Sequence, residues 1–523
     1  MHNALSAAMG QLVAIAYTIG FLALASYWVK VLLITASYMV VRHRDETTPP
    51  LTDRPVVTVQ LPIYNERYVA ARVIDAACRM RWPADRLEIQ VLDDSTDDTR
   101  TVVDEAARAW RARGIDVTVL RRDDRSGYKA GALAHGLTKA RGSLIAVFDA
   151  DFVPTPDFIE RTAPHLTSGV AAVQTRWGHL NRDLSGLTRA QALALDGHFI
   201  VEQTTRSRCH LLLNFNGTGG VWRREAIEDA GGWQHDTLSE DVDLSYRAQL
   251  RGWRIVFLRD VVAPGELPDS LPAFKQQQRR WATGTTQVLR KLGPRILRSD
   301  LPAMVRLHAL LSLSSHLVHP VSLAMFLMAP LMLVYQPALH TLVGILTIVS
   351  LSPPLMLAVA AGESGKSGLR RLKSYPLLAL LAVGMSLNGT VAVARGLRTR
   401  GGEFERTPKS GGAASIDSAH RLESAPSSTS APQHVVTDRR RPAASELSLP
   451  SYHLSSDRWA LAEAALAAYA WVGFVAALWM GSMGLALFMG MFASGYTLTA
   501  RLSIDRPLRR PSVTRRRVQA GEP

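Results

Sequence analysis

The chain has 523 residues, long enough for two or three separately cored units. It carries 60 Lys and Arg against 45 Asp and Glu, a formal charge of +15, yet 47% of it is hydrophobic; the basic charge alone therefore does not separate a nucleic-acid binder from a membrane protein with basic flanks. Two distant cysteines, Cys78 and Cys209, argue against a disulfide framework or a thiolate metal site and leave oxygen ligands for any metal.

The first apolar stretch, Leu12–Val41, exceeds the ~20 residues that cross a bilayer and lacks a small-residue cleavage site, so it reads as a retained anchor. Arg42, His43 and Arg44 follow at once and assign that end to the cytoplasm.

From about Pro55 to Leu292 short apolar runs alternate with amphipathic ones, as βαβ units do. VVTVQLP, LEIQVL, DVTVLR and SLIAVF predict strands, with helices over Val69–Arg81 and Thr99–Arg113. Polar residues close three of these strands: Tyr64-Asn65-Glu66, Asp93-Asp94 and Asp149-Ala150-Asp151. In an open parallel sheet ligands bind outside the carboxyl ends of the strands, so the three groups would converge on one crevice. Any one of them is most simply a helix N-cap; all three together point to a site.

Asp149-x-Asp151 offers oxygen ligands suited to Mg²⁺ or Mn²⁺, ions that take one or two carboxylates and leave other positions to substrate phosphates. Lys129 in GYKAGAL adds a positive charge, and Gly127 and Gly131 allow close backbone approach. In LSEDVDLSYRAQLRGW, Leu238–Trp253, Ser239 and the acids after it satisfy the rules for a helix start. A transferase that moves a sugar onto a hydroxyl also needs a carboxylate to accept the hydroxyl proton, and Asp241 is the candidate. FKQQQRRWATG, Phe274–Gly284, then sets Gln277, Arg280 and Trp281 just before a long apolar region.

In that region RKLGPRILR and MVRLHALLSLSSHLV read as interfacial helices, and Leu317–Tyr335 and Leu342–Ala361 as spans around a loop without Lys or Arg. Ser374–Leu397 is basic at both flanks and breaks the charge rule as a single span, so MSLNGTVAVARGLRTR reads as a helix lying on the cytoplasmic leaflet. Ser410–Asp457, rich in Ser, Ala, Pro and Arg, reads as a disordered linker. Trp459–Leu502 has room for a hairpin of two spans, and the tail with RRPSVTRRR reads as cytoplasmic or lipid-headgroup-facing. The expected division is thus an anchor over 12–41, a cytoplasmic domain over 55–292, interfacial and membrane helices over 293–400, a loop over 401–409, a linker over 410–457, a hairpin over 459–502 and a tail over 503–523. Five or six spans account for most of the basic charge, and nucleic acid drops out as a partner.

QLPIYNE, VLDDSTDDT, GYKAGAL, FDADFVP, FNGTGGVWR, AGGW, LSEDVDL and QQQRRW stand in the order and spacing of family 2 glycosyltransferases. These include the membrane-embedded, processive cellulose synthases. The wording most resembles that of plant cellulose-synthase-like mannan and glucan synthases and their bacterial relatives, and the resemblance covers Val56–Leu292. It implies a GT-A (nucleotide-diphospho-sugar transferase) α/β domain inserted between helical transmembrane segments. Tyr64, Glu66, Asp93 and Asp94 would hold the base and ribose of a nucleotide sugar. Lys129 and Asp149 would meet its diphosphate, Asp149 and Asp151 would serve the metal, and Gln277 and Arg280 would grip the pyrophosphate. Asn216, Gly217 and Thr218 would border the acceptor sugar, Trp281 would floor it, and Asp241 would be the general base. The chemistry of QQQRRW fits: an indole offers a flat apolar face to a pyranose and a guanidinium offers forked donors to phosphate. EFERTPK, Glu403–Lys409, resembles the gating-loop pattern F-x-V-T-x-K through Phe404, Thr407 and Lys409, with Arg406 in the usual valine position.

The expected activity is inverting transfer of a hexose from UDP-glucose or GDP-mannose to a growing β-linked polysaccharide, with Mg²⁺ or Mn²⁺, coupled to translocation. The expected setting is a plasma (bacterial inner) membrane, with the lipids and accessory subunits that such a setting allows. Glycosylation of a ceramide- or diacylglycerol-type lipid is the alternative, and an inactive glycan-binding membrane protein the third reading.

Overall fold

A computed structural model of the chain describes residues 2–43, 48–51, 53–335, 348–403 and 459–504. The gating-loop residues Phe404, Thr407 and Lys409, the linker 410–457, the tail from 505 and the start of the stretch 342–361 lie outside the described residues.

Seven strands form one sheet: β1 Val57–Ile63, β2 Leu87–Asp93, β3 Val117–Leu120, β4 Leu144–Val147, β5 Val170–His179, β6 Gly220–Arg223 and β7 Arg254–Gly265, in the order β3-β2-β1-β4-β6-β5-β7. β1 pairs in parallel with both β2 and β4, and β3 extends that half in parallel on β2. β6 then reverses the direction, antiparallel to β4 on one side and to β5 on the other, while β7 runs parallel to β5. The sheet is therefore mixed, not wholly parallel. The reversal has a consequence for the site. Gly220 pairs with Val147, so the loop entering β6 reaches the same sheet edge as the residues leaving β4.

Apolar residues alternate across the short central strand as a two-residue period requires. Leu144 and Ala146 join Val59, Leu61, Val73, Ile74 and Phe158 on one face, where the helices Ala70–Cys78 and Thr99–Arg111 pack. Ile145 and Val147 join Leu133, Leu137, Phe215, Trp222 and Leu244 on the other, under the helices Tyr128–Lys139 and Glu240–Gln249. The sheet is thus covered on both sides. Its polar loops are left to gather at one edge.

Among the described residues three helices are long and apolar enough to cross a membrane: Ala8–Val41, with mean hydropathy 1.9, Ala460–Trp479 and Met483–Ser503. Two bent pairs, Ala303–Leu313 with Ser315–Met328 and Ser367–Gly384 with Ser386–Arg398, raise the number to five if each is one span. The second bend, 48°, falls at Gly384-Met385, within the stretch whose basic flanks conflict with a single straight span. Beyond it, Ser386–Arg398 packs along the helix Leu271–Leu297: Thr283 donates to the Ala392 carbonyl at 3.1 Å, and a side chain at Gly396 would strike Thr286 and the Thr283 carbonyl. Arg290 caps its end through the carbonyls of Leu397 and Thr399 at 2.5 Å each.

Candidate active site

The edge built by the ends of β1, β2, β4, β5 and β7 opens into a cavity of about 680 Å³. Its wall brings together Tyr64, Glu66, Asp94, Lys129, Asp149, Asp151, Asn216, Gly217, Asp241, Gln277, Arg280 and Trp281, residues separated by up to 217 positions in the chain. It continues past Trp281 to Lys30 of the first helix and to His316, His319, Leu381 and Met385 of the two bent helix pairs.

Lys129 is the hub of the acidic end. Its ammonium lies 2.6 Å from Asp149 Oδ1 and 3.7 Å from Glu240 Oε1, and it donates to the Gly217 carbonyl at 2.9 Å. Burial pulls its pKa down, but the charges of Asp149 and Glu240 outweigh burial and raise it, so it stays a cation. Gly217 sits at φ +79, and a Cβ there would come within 2.9 Å of Asp241 Oδ2, so the bare backbone is what lets this loop close on the carboxylate.

Asp241 lies in the first turn of Glu240–Gln249. Its carboxyl is pushed up to about 7, by burial first and by the adjacent Glu240 second, with Lys129 pulling the other way. A carboxylate poised near neutrality is suited to receive a proton. Glu240 takes part in setting that value, and the capping interpretation of the acidic run hid it.

Two expected residues stand behind the wall instead of on it. Asp93 is fully buried; Arg121 lies 2.8 Å from its Oδ2, and its Oδ1 accepts the Ser95 N–H at 3.0 Å. Thr218 is also fully buried, and its hydroxyl accepts the Asp149 N–H at 3.0 Å. Strand alternation explains Asp93: as the last residue of β2 it points to the same sheet face as Ile89 and Val91, on the side of the helix Thr99–Arg111, and the next residue, Asp94, turns into the cavity, held by Arg122 at 2.5 Å. Both acids answer to arginines 28 positions on.

Other wall residues carry no signal in one sequence. The Arg125 guanidinium stands 3.3 Å from the Tyr64 ring centroid, stiffening the nucleotide-side wall. Trp177 on β5 lies 6.5 Å from the Trp281 ring and donates from its indole to the Thr218 carbonyl at 3.3 Å. Glu202 joins Lys30 at 3.3 Å to His198 at 2.9 Å, and His198 in turn meets the Asn216 amide at 3.3 Å. Gln203 donates to the other end of that amide at 2.9 Å, so the orientation of Asn216 is fixed from both sides.

Asp149 and Asp151 both face the cavity, and among the described residues no group of three or more His, Cys, Asp and Glu forms a cage for a metal ion. Two carboxylates beside an open, phosphate-sized space are the donor set a hard divalent ion uses when a diphosphate completes its shell. The residues present fit such an ion.

A mixed sheet with a DxD carboxylate pair at its edge, an aspartate held near neutrality and an arginine–tryptophan floor has the architecture of the GT-A fold. Residues 54–284 match the family described as "Glycosyltransferase like family 2". Among curated proteins, this chain is 46% identical over 251 residues to "Glucomannan 4-beta-mannosyltransferase 2" of Arabidopsis thaliana, a match covering 47% of each chain. It is 45% identical over 251 residues to "Glucomannan 4-beta-mannosyltransferase 1" of Oryza sativa subsp. japonica, covering 47% of this chain and 48% of the relative. The match thus spans about half the length of these curated relatives. Among solved structures, a mannosyltransferase from Pyrobaculum calidifontis in complex with GDP-Man and Mn2+ superposes with a TM-score of 0.52 at 22% identity, covering 73% of this chain and 99% of that one; the likeness supports the GT-A fold.

Proposed function

We propose that the protein transfers a hexose, with inversion, from a nucleotide sugar to a growing β-linked glycan, and that the donor is GDP-mannose. The names of the relatives support the mannosyl and β-linked parts of this reading. The observation that supports it most is the meeting of Asp149, Asp151, Asp241, Arg280 and Trp281 around one cavity.

In this reading Tyr64, Glu66 and Asp94 receive the base and ribose, and Gln277 and Arg280 hold the pyrophosphate. Trp281, backed by Trp177, stacks under the terminal sugar of the acceptor, and Asn216 and Gly217 border it. Asp241 takes the proton of the acceptor hydroxyl as its oxygen attacks the anomeric carbon; the bond from that carbon to the phosphate oxygen breaks on the opposite side, and the nucleoside diphosphate departs with the electron pair. A single displacement converts the α-linked donor to a β-linked product. Lys129 and Arg280 offset the charge gathering on the leaving diphosphate. Asp149 and Asp151 would hold Mg²⁺ or Mn²⁺, which supplies Lewis-acid neutralisation of diphosphate charge when bound.

The wall that runs on past Trp281 between the membrane helices, where His316, His319 and Asn388 alternate with Leu381 and Met385, supports delivery of the product into the bilayer region. Arg42 and His43 after the first helix support a cytoplasmic catalytic domain in a plasma or bacterial inner membrane. The full chain in lipid, given GDP-mannose or UDP-glucose with Mn²⁺, tests the reading: long β-linked chains support it, and single glycosylated lipids would replace it with the lipid-acceptor reading.

A further inference from the structure

Lys275 and Glu463 are charged side chains with almost no exposure, 1% and 0%, and neither reaches the cavity. The Lys275 ammonium lies 2.5 Å and 2.7 Å from the two Glu463 carboxylate oxygens and donates to the Ser503 hydroxyl at 2.7 Å. Lys275 belongs to Leu271–Leu297, the helix that also carries Gln277, Arg280 and Trp281. Glu463 begins one arm of the C-terminal hairpin, Ala460–Trp479, and Ser503 ends the other, Met483–Ile504, so one ammonium grips both arms at the same end.

A second link lies one turn further along. Arg279 donates twice to Asn388 Oδ1, at 3.0 and 2.8 Å, and the Asn388 amide donates to the Lys275 carbonyl at 3.2 Å. At about 100° per residue, Lys275, Arg279, Thr283 and Thr286 share one face of the helix, and Gln277, Trp281 and Thr285 lie on the opposite face, which lines the cavity. The two faces divide the labour: one is tied to three membrane helices, the other presents Gln277 and Trp281 to the cavity.

Burying an ion pair contributes little stability in general, because removing two charges from water offsets most of their attraction. An apolar pair would fill the same space as well. What an apolar pair lacks is a fixed rotation and register of one helix on the others. We propose that Lys275, Glu463 and Ser503 are positioning residues that set the rotation of the catalytic helix, which makes the C-terminal hairpin a working part of the active site and not only an anchor. This rests on the transferase reading above.

The test uses the full chain in lipid, with GDP-mannose and, in parallel, UDP-glucose as donors. In the double variant Lys275→Met/Glu463→Leu, which removes both charges, the melting temperature stays at the wild-type value and kcat falls at least roughly tenfold with little change in donor KM, as expected when reacting groups are held slightly out of place. A double variant with wild-type melting and wild-type kcat overturns the proposal. Should the double variant fail to fold, Ser503→Ala, which keeps the ion pair, decides: lowered kcat at unchanged melting supports positioning, and unchanged kcat overturns it. A wild-type chain inert with both donors overturns the transferase reading and takes this proposal with it; an active wild type with an indifferent double variant overturns only the positioning claim.

Discussion

Lys129 holds Asp149 across 2.6 Å at the point where β4 leaves the sheet, so a cation already stands against the first carboxylate of the DxD pair. A metal ion arriving with a diphosphate would share that carboxylate with the ammonium. Chelation with EDTA is therefore expected to abolish transfer and added Mn²⁺ or Mg²⁺ to restore it, while Asp151→Asn stays inactive at any Mn²⁺ concentration that saturates the wild type. Full turnover in EDTA would contradict the assignment of Asp149 and Asp151.

Asp241 gives a pH dependence with a definite sign. Its carboxyl, ordinarily near 3.8, is pushed up to about 7 in the folded chain by burial and then by the neighbouring Glu240. kcat/KM should fall about tenfold per unit below that value and level off above it, since the base form is required. For stability the sign is opposite to that of a salt-bridged acid: the folded state binds the proton more tightly, so the contribution is full below about pH 4 and is lost as pH rises through about 7. Asp241→Asn should consequently melt above the wild type at pH 8 and alongside it at pH 4, while turning over at least roughly a hundredfold more slowly. Equal melting at both pH values would show that Asp241 is not held in a hostile setting.

Gly217 supplies a steric test. Its φ of +79, and the 2.9 Å that would separate an added Cβ from Asp241 Oδ2, predict that Gly217→Ala strains the loop by ~1–2 kcal/mol and displaces the base. Activity should drop while nucleotide affinity, measured by calorimetric titration of GDP, changes little. Wild-type turnover in this variant would remove the loop from the acceptor side of the site.

Much of this site was legible in one sequence because its strongest signals are local. β1, β2 and β4 are short apolar runs that stop abruptly at acids or amides, and Tyr64, Asp94 and Asp149 fall at their ends for that reason. What escaped is set by register between distant segments. The reversal at β6, which carries Asn216 and Gly217 to the edge beside Asp149, leaves no mark in a four-residue strand. Asp93 and Asp94 differ by one step of the pleat, so the sequence pairs them while the fold gives one to the interior and the other to the cavity. Lys275 and Glu463, 188 positions apart, each look like an isolated charge beside an apolar run until the hairpin closes on the catalytic helix.

Arg280 separates charge from shape. Arg280→Lys keeps the positive charge and loses the planar fork, which should cost ~1.5–3 kcal/mol of transition-state binding, roughly a ten- to hundredfold loss in kcat/KM for the donor. Trp281→Ala should leave donor affinity intact and shorten the product, because the missing indole is the floor under the acceptor. The reverse pattern, a donor defect in Trp281→Ala and none in Arg280→Lys, would exchange the two assignments.

The most direct measurement is incorporation of radiolabelled sugar from GDP-mannose and from UDP-glucose by the purified full chain in lipid with Mn²⁺, wild type beside Asp241→Asn, with the product sized and its linkage determined. The account predicts long β-linked chains from the wild type and none from the variant. Undiminished synthesis by Asp241→Asn, or no incorporation from either donor by the wild type, would contradict it.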